Sequence, residues 1–271
     1  MSNTILLTGA TDGIGFETAK LLAADGHELL LHGRNQAKLD DVKQALLALN
    51  PHVKIKTYTA DLSDLSQVVA MAKKIQAEVP SLDVLLNNAG VFKIPDTTTV
   101  YGLDARFVVN TFAPYVLTKM LSGLFSSTSR VVNLSSAAQA PVDLDALKGK
   151  KPLSDSAAYA QSKLAITMWT IQLALFANES APSMIAVNPA SFLGSKMVKQ
   201  AYGSEGKDLS IGATILQRAA TGEDFNGITG RYFDNDIGAW SQPHPDALSP
   251  EKNITLVQTM DQILTQLDIQ L

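Results

Sequence analysis

Short apolar runs alternate with longer stretches of helical periodicity through roughly the first 190 residues of the chain. Thr4–Leu7 is an apolar run that stops at a glycine turn, and Phe16–Asp25 follows with a helical repeat ending at Gly26. Glu28–His32 predicts a second strand and Ala37–Leu49 a second helix, stopped by Asn50-Pro51. Val53–Thr59 reads as a strand, and Ser63–Glu78 as a helix with Ser63 at its N-cap and Pro80 beyond its end. Val84–Leu86 is a short buried strand, Gly102–Phe125 one long helix, Arg130–Leu134 a fifth strand, Ala158–Asn178 a second long helix and Met184–Val187 a sixth strand. Continuously apolar strands separated by helices imply a parallel sheet covered on both faces. Right-handed crossovers make that a doubly wound, Rossmann-type α/β fold with three α/β/α layers. No linker or composition break divides the chain, so residues 1–271 read as one domain, with the main sheet in about 1–190 and a C-terminal cover in about 190–271. Its last helix, near Pro250–Ile269, carries an apolar stripe of Ile254, Val257, Met260, Ile263, Leu264 and Leu267.

Composition narrows the chemistry. Hydrophobic residues make up 46% of the 271, enough for a sizeable core. Acids outnumber bases by 26 to 22, a net charge of −4 that gives no broad positive field for nucleic acid or an anionic membrane. There are no cysteines, which removes disulfides, thiolate nucleophiles and Cys-based metal sites. His27, His32, His52 and His244 neither cluster nor recur at ligand spacing, so surface or capping roles are expected and no metal. The N-terminus lacks the pattern of a signal peptide, and Leu164–Ala177 is too short and too interrupted by Thr167, Thr170 and Gln172 for a membrane span. A cytoplasmic location is the expectation.

The turn after the first strand reads Thr8-Gly9-Ala10-Thr11-Asp12-Gly13-Ile14-Gly15 and opens a helix. Glycines let the backbone approach a pyrophosphate, and the first N–H groups of a helix face an anion. Gly9, Thr11, Asp12, Gly13, Ile14 and Gly15 are therefore candidate dinucleotide contacts. The spacing is G-x3-G-x-G, not the general G-x-G-x-x-G. The second strand ends His32-Gly33-Arg34-Asn35, with no acid for a ribose 2′-hydroxyl and a guanidinium where a 2′-phosphate would need one. This favours NADP(H) over NAD(H), against the alternative that Arg34 is a solvated loop residue.

Three further motifs follow in order: Leu85-Leu86-Asn87-Asn88-Ala89-Gly90, Val131-Val132-Asn133-Leu134-Ser135-Ser136 and Tyr159-Ala160-Gln161-Ser162-Lys163. Tyr159 and Lys163 are four apart and share a helix face. A free tyrosine, with a pKa of about 10, is a poor base, but a nearby ammonium favours the phenolate. Tyr159 can then serve as general acid toward a carbonyl or base toward an alcohol. Ser135 and Ser136 point to opposite faces of their strand, so one of them can face a cleft at the strand ends and hold the substrate oxygen.

Together with the glycine turn, these motifs resemble the short-chain dehydrogenase/reductase family, in its single-domain branch, over roughly residues 4–200. The resemblance implies Tyr159 as acid/base, Lys163 on the nicotinamide ribose, Ser136 as the substrate-facing serine, and Asn110 holding a water that links the lysine to solvent. It also implies Asn88, Ala89 and Gly90 near the adenosine side, Asp61-Leu62 bracketing the adenine with a capping role for Asp61 as the alternative, and Pro189 beside the nicotinamide. The family usually has Pro-Gly after the sixth strand and then a threonine. Here Ala190 replaces the glycine, and Ser191 and Ser195 are the nearest hydroxyls. Tyr159-x-x-Ser162-Lys163-Leu164-Ala165 and the insertion from Pro141 to Asp155 look like the branch holding retinol dehydrogenases and protochlorophyllide reductases.

The implied function is NADP(H)-dependent interconversion of an alcohol with a ketone or aldehyde. The alternatives are a non-catalytic NADP(H)-binding regulator and a nucleotide-sugar epimerase or dehydratase, the latter disfavoured by length and glycine spacing. A loop at about Ala190–Lys207, with Phe192, Leu193, Met197, Val198 and Tyr202, suggests a partly apolar substrate. The two long helices are apolar, and in the family such helices often pair between subunits, so a homodimer or homotetramer is expected.

Overall fold

A computed structural model describes residues 2–196, 198, 199, 203 and 205–271. Among them eight strands form one sheet in the order β3-β2-β1-β4-β5-β6-β7-β8. The strands are β1 (Thr4–Leu7), β2 (Glu28–Gly33), β3 (Ile55–Thr59), β4 (Val84–Asn87), β5 (Arg130–Leu134), β6 (Ser183–Asn188), β7 (Arg231–Asp234) and β8 (Ala239–Ser241). All pair in parallel except β8, which is antiparallel to β7. The order reverses between β1 and β4, the switch point where such sheets bind ligands at their carboxyl ends.

Alternate residues of the same strands feed two separate cores. Leu6, Leu30, Leu85 and Val131 join α3 (Leu65–Glu78), α5 (Ala113–Met120), α7 (Asp155–Leu175) and α9 (Pro250–Gln266) on one face. Ile5, Leu29, Leu86, Val132 and Ile185 join α1 (Gly13–Ala24), α2 (Gln36–Leu49) and α8 (Leu209–Thr221) on the other. Burying each such aliphatic side chain contributes about 1.5–3 kcal/mol, and the two-sided burial explains why the strands read as unbroken apolar runs.

Several boundaries differ from the sequence reading. Helix α1 opens at Gly13 because Asp12 caps it, its side chain accepting from Gly13 N–H. Helix α3 is capped by Asp64, not Ser63, and Asp64 accepts from Ser66 N–H. The stretch 102–125 is not one helix. It is α4 (Ala105–Phe107), a π turn (Val108–Phe112), α5 and a 3-10 turn (Leu121–Leu124). Pro114 has no N–H to offer the carbonyl of Asn110, and Ala113 N–H reaches back to Val108, so the helix widens there. The insertion before Asp155 forms a short helix α6 (Leu144–Leu147), whose Ala146 and Leu147 are buried in the first core.

Beyond residue 190, where the sequence predicts a substrate loop, a cover and one last helix, the chain also adds α8, β7 and β8 to the doubly wound layers. Helix α9 lies over α7 and meets Tyr115 of α5. Leu256, Met260, Ile263 and Leu264 join Tyr115 and Trp169 in one core, and Tyr115 Oη donates to Asp261 Oδ1 at 2.8 Å. Leu256 takes the inward position that the periodicity gives to Ile254, which is 36% exposed. Trp169 is fully buried, with its ring edge-on to Tyr115 at 5.6 Å. The apolar face expected to meet a second subunit is thus covered by the chain itself. No helix among the described residues is long and apolar enough to cross a membrane.

Candidate active site

The glycine turn is shaped by close approaches that only glycine allows. Gly9 and Gly13 adopt φ of +68° and +54°. A Cβ on Gly15 would stand 2.1 Å from the carbonyl oxygen of Gly9, and one on Gly33 would stand 2.6 Å from Thr11 Cγ2. The turn is braced from β4. Asn88 Nδ2 donates to the carbonyls of Thr8 and Gly9 at 2.9 and 3.2 Å, and Thr8 Oγ1 accepts from the N–H groups of Asn88 and Ala89. In the first turn of α1 the Gly13 N–H is taken by Asp12, and helix geometry leaves those of Ile14 and Gly15 without a partner in the helix, an arrangement that suits a pyrophosphate.

The second group lies at the ends of β5 and α7. Lys163 is buried, and its Nζ donates to the carbonyl of Leu134 at 2.7 Å and lies 5.7 Å from the centre of the Tyr159 ring. Burial pushes its amine down to about 8, so it stays largely protonated at neutral pH. The Tyr159 ring packs on Phe92 with centroids 4.8 Å apart. Asn110 sits in the π turn, its Nδ2 donating to the carbonyl of Val91 and to Ser162 Oγ, both at 2.9 Å, while its Oδ1 accepts from Val91 N–H. Ser162, which the motifs give no role, donates in turn to the carbonyl of Tyr159 at 2.7 Å. A Cβ on Gly90 would come within 3.4 Å of Asn110 Oδ1 and 3.5 Å of Lys163 Nζ. Gly90 therefore borders both Asn110 and the lysine.

The two serines separate as the strand alternation requires. Ser135 is buried, its Oγ donating to the carbonyl of Lys163 at 3.0 Å and lying 2.7 Å from Thr167 Oγ1. Ser136 is partly exposed and its Oγ accepts from Ala138 N–H. Its carbonyl is held by Gln139 Nε2 at 3.0 Å and by Tyr232 Oη at 3.2 Å. Gln139 lies three residues after the serine, but no local pattern marks Tyr232, which reaches it only through the pairing of β7 with β6.

The family model for short chain dehydrogenases matches residues 3–205. The chain belongs to the short-chain dehydrogenase family. Retinol dehydrogenase 12 of Mus musculus is 31% identical to this dehydrogenase over 249 residues, covering 87% of the chain and 78% of the relative. Polyprenol dehydrogenase of Homo sapiens is 31% identical over 251 residues, covering 85% and 76%. Among solved structures, a Mycobacterium paratuberculosis protein matches with a TM-score of 0.80 at 25% identity, over 97% of this chain and 93% of its own. A metagenomic short-chain oxidoreductase in complex with NADP matches with a TM-score of 0.64 at 26% identity, over 84% and 94%.

Other candidate residues of this dehydrogenase sit in places the motifs alone do not decide. Arg34 is exposed at the end of β2. Asp61 accepts from Ser63 N–H and Oγ at 2.9 and 2.8 Å in the turn before α3, whose cap is Asp64, and Leu62 is buried in the first core. The Asp12 carboxylate pairs with Lys196 from the loop after β6, and both side chains are solvated, so the pair adds little stability. Burial raises the Asp12 pKa, but Lys196 and Gly13 N–H outweigh it and hold the group below the usual carboxylate range. Ser191 is committed to Asp236, which accepts from its N–H and its Oγ, whereas Ser195 lies across from Gly13, 3.8 Å from a Cβ built there. Leu193 is buried and Phe192 is 56% exposed, while Met197 and Tyr202 lie outside the described residues.

Ala190 follows buried Pro189 with φ of +117°, a conformation that costs an L-residue on the order of 1–3 kcal/mol. Glycine would remove that strain and give back about 0.4–1 kcal/mol through the freer unfolded chain. Ala190→Gly should therefore raise stability by about 1 kcal/mol, read as a higher urea midpoint at constant slope. An unchanged or lower midpoint would contradict the strain.

Proposed function

We propose that this dehydrogenase is an NADP(H)-dependent oxidoreductase that interconverts an alcohol with a ketone or aldehyde. The observation that carries the reading is the buried ammonium of Lys163, 5.7 Å from the centre of the Tyr159 ring, with Ser136 on the loop after β5 and the glycine turn after β1. The nicotinamide cofactor, when bound, supplies or takes up the hydride. In the reducing direction Tyr159 Oη gives its proton to the carbonyl oxygen, and in the oxidising direction it takes the hydroxyl proton. Lys163 stabilises the phenolate left on Tyr159. Ser136 Oγ holds the substrate oxygen in reach of that proton. Asn110, held between Val91 and Ser162, positions a water that carries the proton onward to solvent. Gly9, Thr11, Gly13, Ile14 and Gly15 cradle the pyrophosphate, and Arg34 faces the 2′-phosphate.

We read the whole chain as one domain, because a single sheet takes strands from Thr4 to Ser241 and the first core reaches from Leu6 to Leu264. The names of the retinol and polyprenol relatives, together with the exposed ring of Phe192 on the loop after β6, support a lipophilic alcohol or carbonyl as substrate. A panel of carbonyls and alcohols, followed through NADPH absorbance, tests the reaction. For the cofactor, Arg34→Asp should raise the NADPH KM about ten- to a hundredfold, as expected for losing a charge-assisted bond, and leave the NADH KM little changed. A wild-type enzyme that prefers NADH would overturn the NADP(H) assignment.

A further inference from the structure

His32 is a buried imidazole that the proposed chemistry does not use. It is 2% exposed, on β2, contrary to the surface or capping role its isolation in the sequence suggests. Both ring nitrogens are engaged. Nδ1 accepts from the N–H of Gly9 at 3.2 Å, so it carries no proton. The proton is then on Nε2, which lies 3.0 Å from the carbonyl of Ala60 and donates to it. The backbone of the same residue holds the next position, Ala10 N–H donating to the His32 carbonyl at 2.9 Å.

One rigid ring thereby joins three strand ends. Gly9 lies two residues beyond β1, Ala60 follows β3 and precedes Asp61, and His32 itself is two residues before Arg34. Neither an aliphatic side chain nor a hydroxyl spans that gap with an acceptor at one end and a donor at the other. Losing the acceptor would leave the Gly9 N–H without its partner, a defect worth a change of about tenfold in an equilibrium. The defect would fall on the residue whose carbonyl lies against Gly15 and whose left-handed backbone shapes the turn. Burial keeps the imidazole neutral, its pKa pushed down to about 4, with Asp61 acting to raise it and Arg34 to lower it. The arrangement therefore persists across the neutral pH range.

We propose that His32 is a positioning residue for the dinucleotide: its single neutral tautomer locks Gly9, and with it the phosphate cradle, in the binding conformation. The inference rests on the NADP(H) reading above. Ser136, Tyr159 and Lys163 lie on the loop after β5 and on α7, so the effect should appear in cofactor affinity and not in the chemical step.

Two variants separate the contacts. His32→Gln can reach Ala60 with its terminal amide but offers no acceptor at the Nδ1 position. His32→Asn places an acceptor at that position. NADPH affinity measured by calorimetry should weaken about tenfold in His32→Gln and recover in His32→Asn, with kcat at saturating NADPH held within about twofold. The Gly9 amide of unliganded His32→Gln should exchange its hydrogen faster than in the wild type. A folded His32→Gln that binds NADPH like the wild type overturns the proposal, as does one that loses kcat along with affinity. The imidazole nitrogen resonances of 15N-labelled wild-type protein report the tautomer without any substitution. One neutral tautomer protonated at Nε2 supports the lock, and a ring protonated at Nδ1 overturns it. A wild-type protein that binds neither NADPH nor NADH would defeat the cofactor reading itself.

Discussion

Tyr159→Phe should lower kcat by about a thousandfold, within the range that a positioned general acid or base contributes. The substitution keeps the ring that packs on Phe92 and removes only the hydroxyl of the ring beside the Lys163 ammonium. NADPH affinity should hold, because the cradle is built from β1, α1 and β4. Substrate KM should move less than kcat, since proton transfer belongs to the transition state. A steady-state assay with the best substrate of the panel, alongside NADPH titration, reads both quantities. Activity unaffected by the change would sink the mechanism. It would also reopen the reading of the chain as a binding protein that retains the fold without the chemistry.

The second large effect concerns stability. Arg106 is 1% exposed, and its guanidinium is fully committed. Nε and Nη2 donate to the two oxygens of Asp104 at 2.8 and 2.6 Å, and Nη1 donates to Asp155, the first residue of α7. Asp104 also caps α4, so one side chain ties the segment leading into the Asn110 turn to the start of the helix bearing Tyr159 and Lys163. Arg106→Leu leaves two facing carboxylates without their cation, one of them 17% exposed. The expected cost is about 3 kcal/mol, at the lower end for a broken buried pair because Asp155 is half in solvent. Arg106→Lys should recover little, since a single ammonium cannot reproduce the fork. Urea unfolding measures the loss, and a change below about 1 kcal/mol would show that the network contributes little net stability.

How much of the fold and the site is legible in the sequence follows from the range of each signal. The glycine turn, the strands as far as β6 and the Tyr159-Lys163 pair are local patterns, and they lie in the structure as they read. Strand alternation, itself local, says that Ser135 and Ser136 face opposite ways, and only the resemblance picks Ser136. The break at Asn110 has one local sign, Pro114 four residues on, and the apolar run around it hides that sign. Gly90 and Asn88 take their places from α7 and β1, distant in sequence, so their own motif does not locate them. His32 has no periodicity around it, and its meaning lies wholly in Gly9 and Ala60 on adjoining strands. Tyr232 is illegible for the same reason. Strands β7 and β8 are short and polar-flanked, and their pairing with the sheet outweighs a weak local propensity.

Helix α9 has a consequence for how copies of the chain can meet. By lying over α7 and meeting Tyr115 of α5 it covers apolar helix surface with the chain's own last helix. Pairing between copies through those two helices would first require α9 to be peeled away, baring Tyr115, Trp169 and their neighbours to water. The C-terminus is accordingly a structural member, and shortening it would unmake a core. The apolar surface that the sequence offers for pairing is occupied from within the chain.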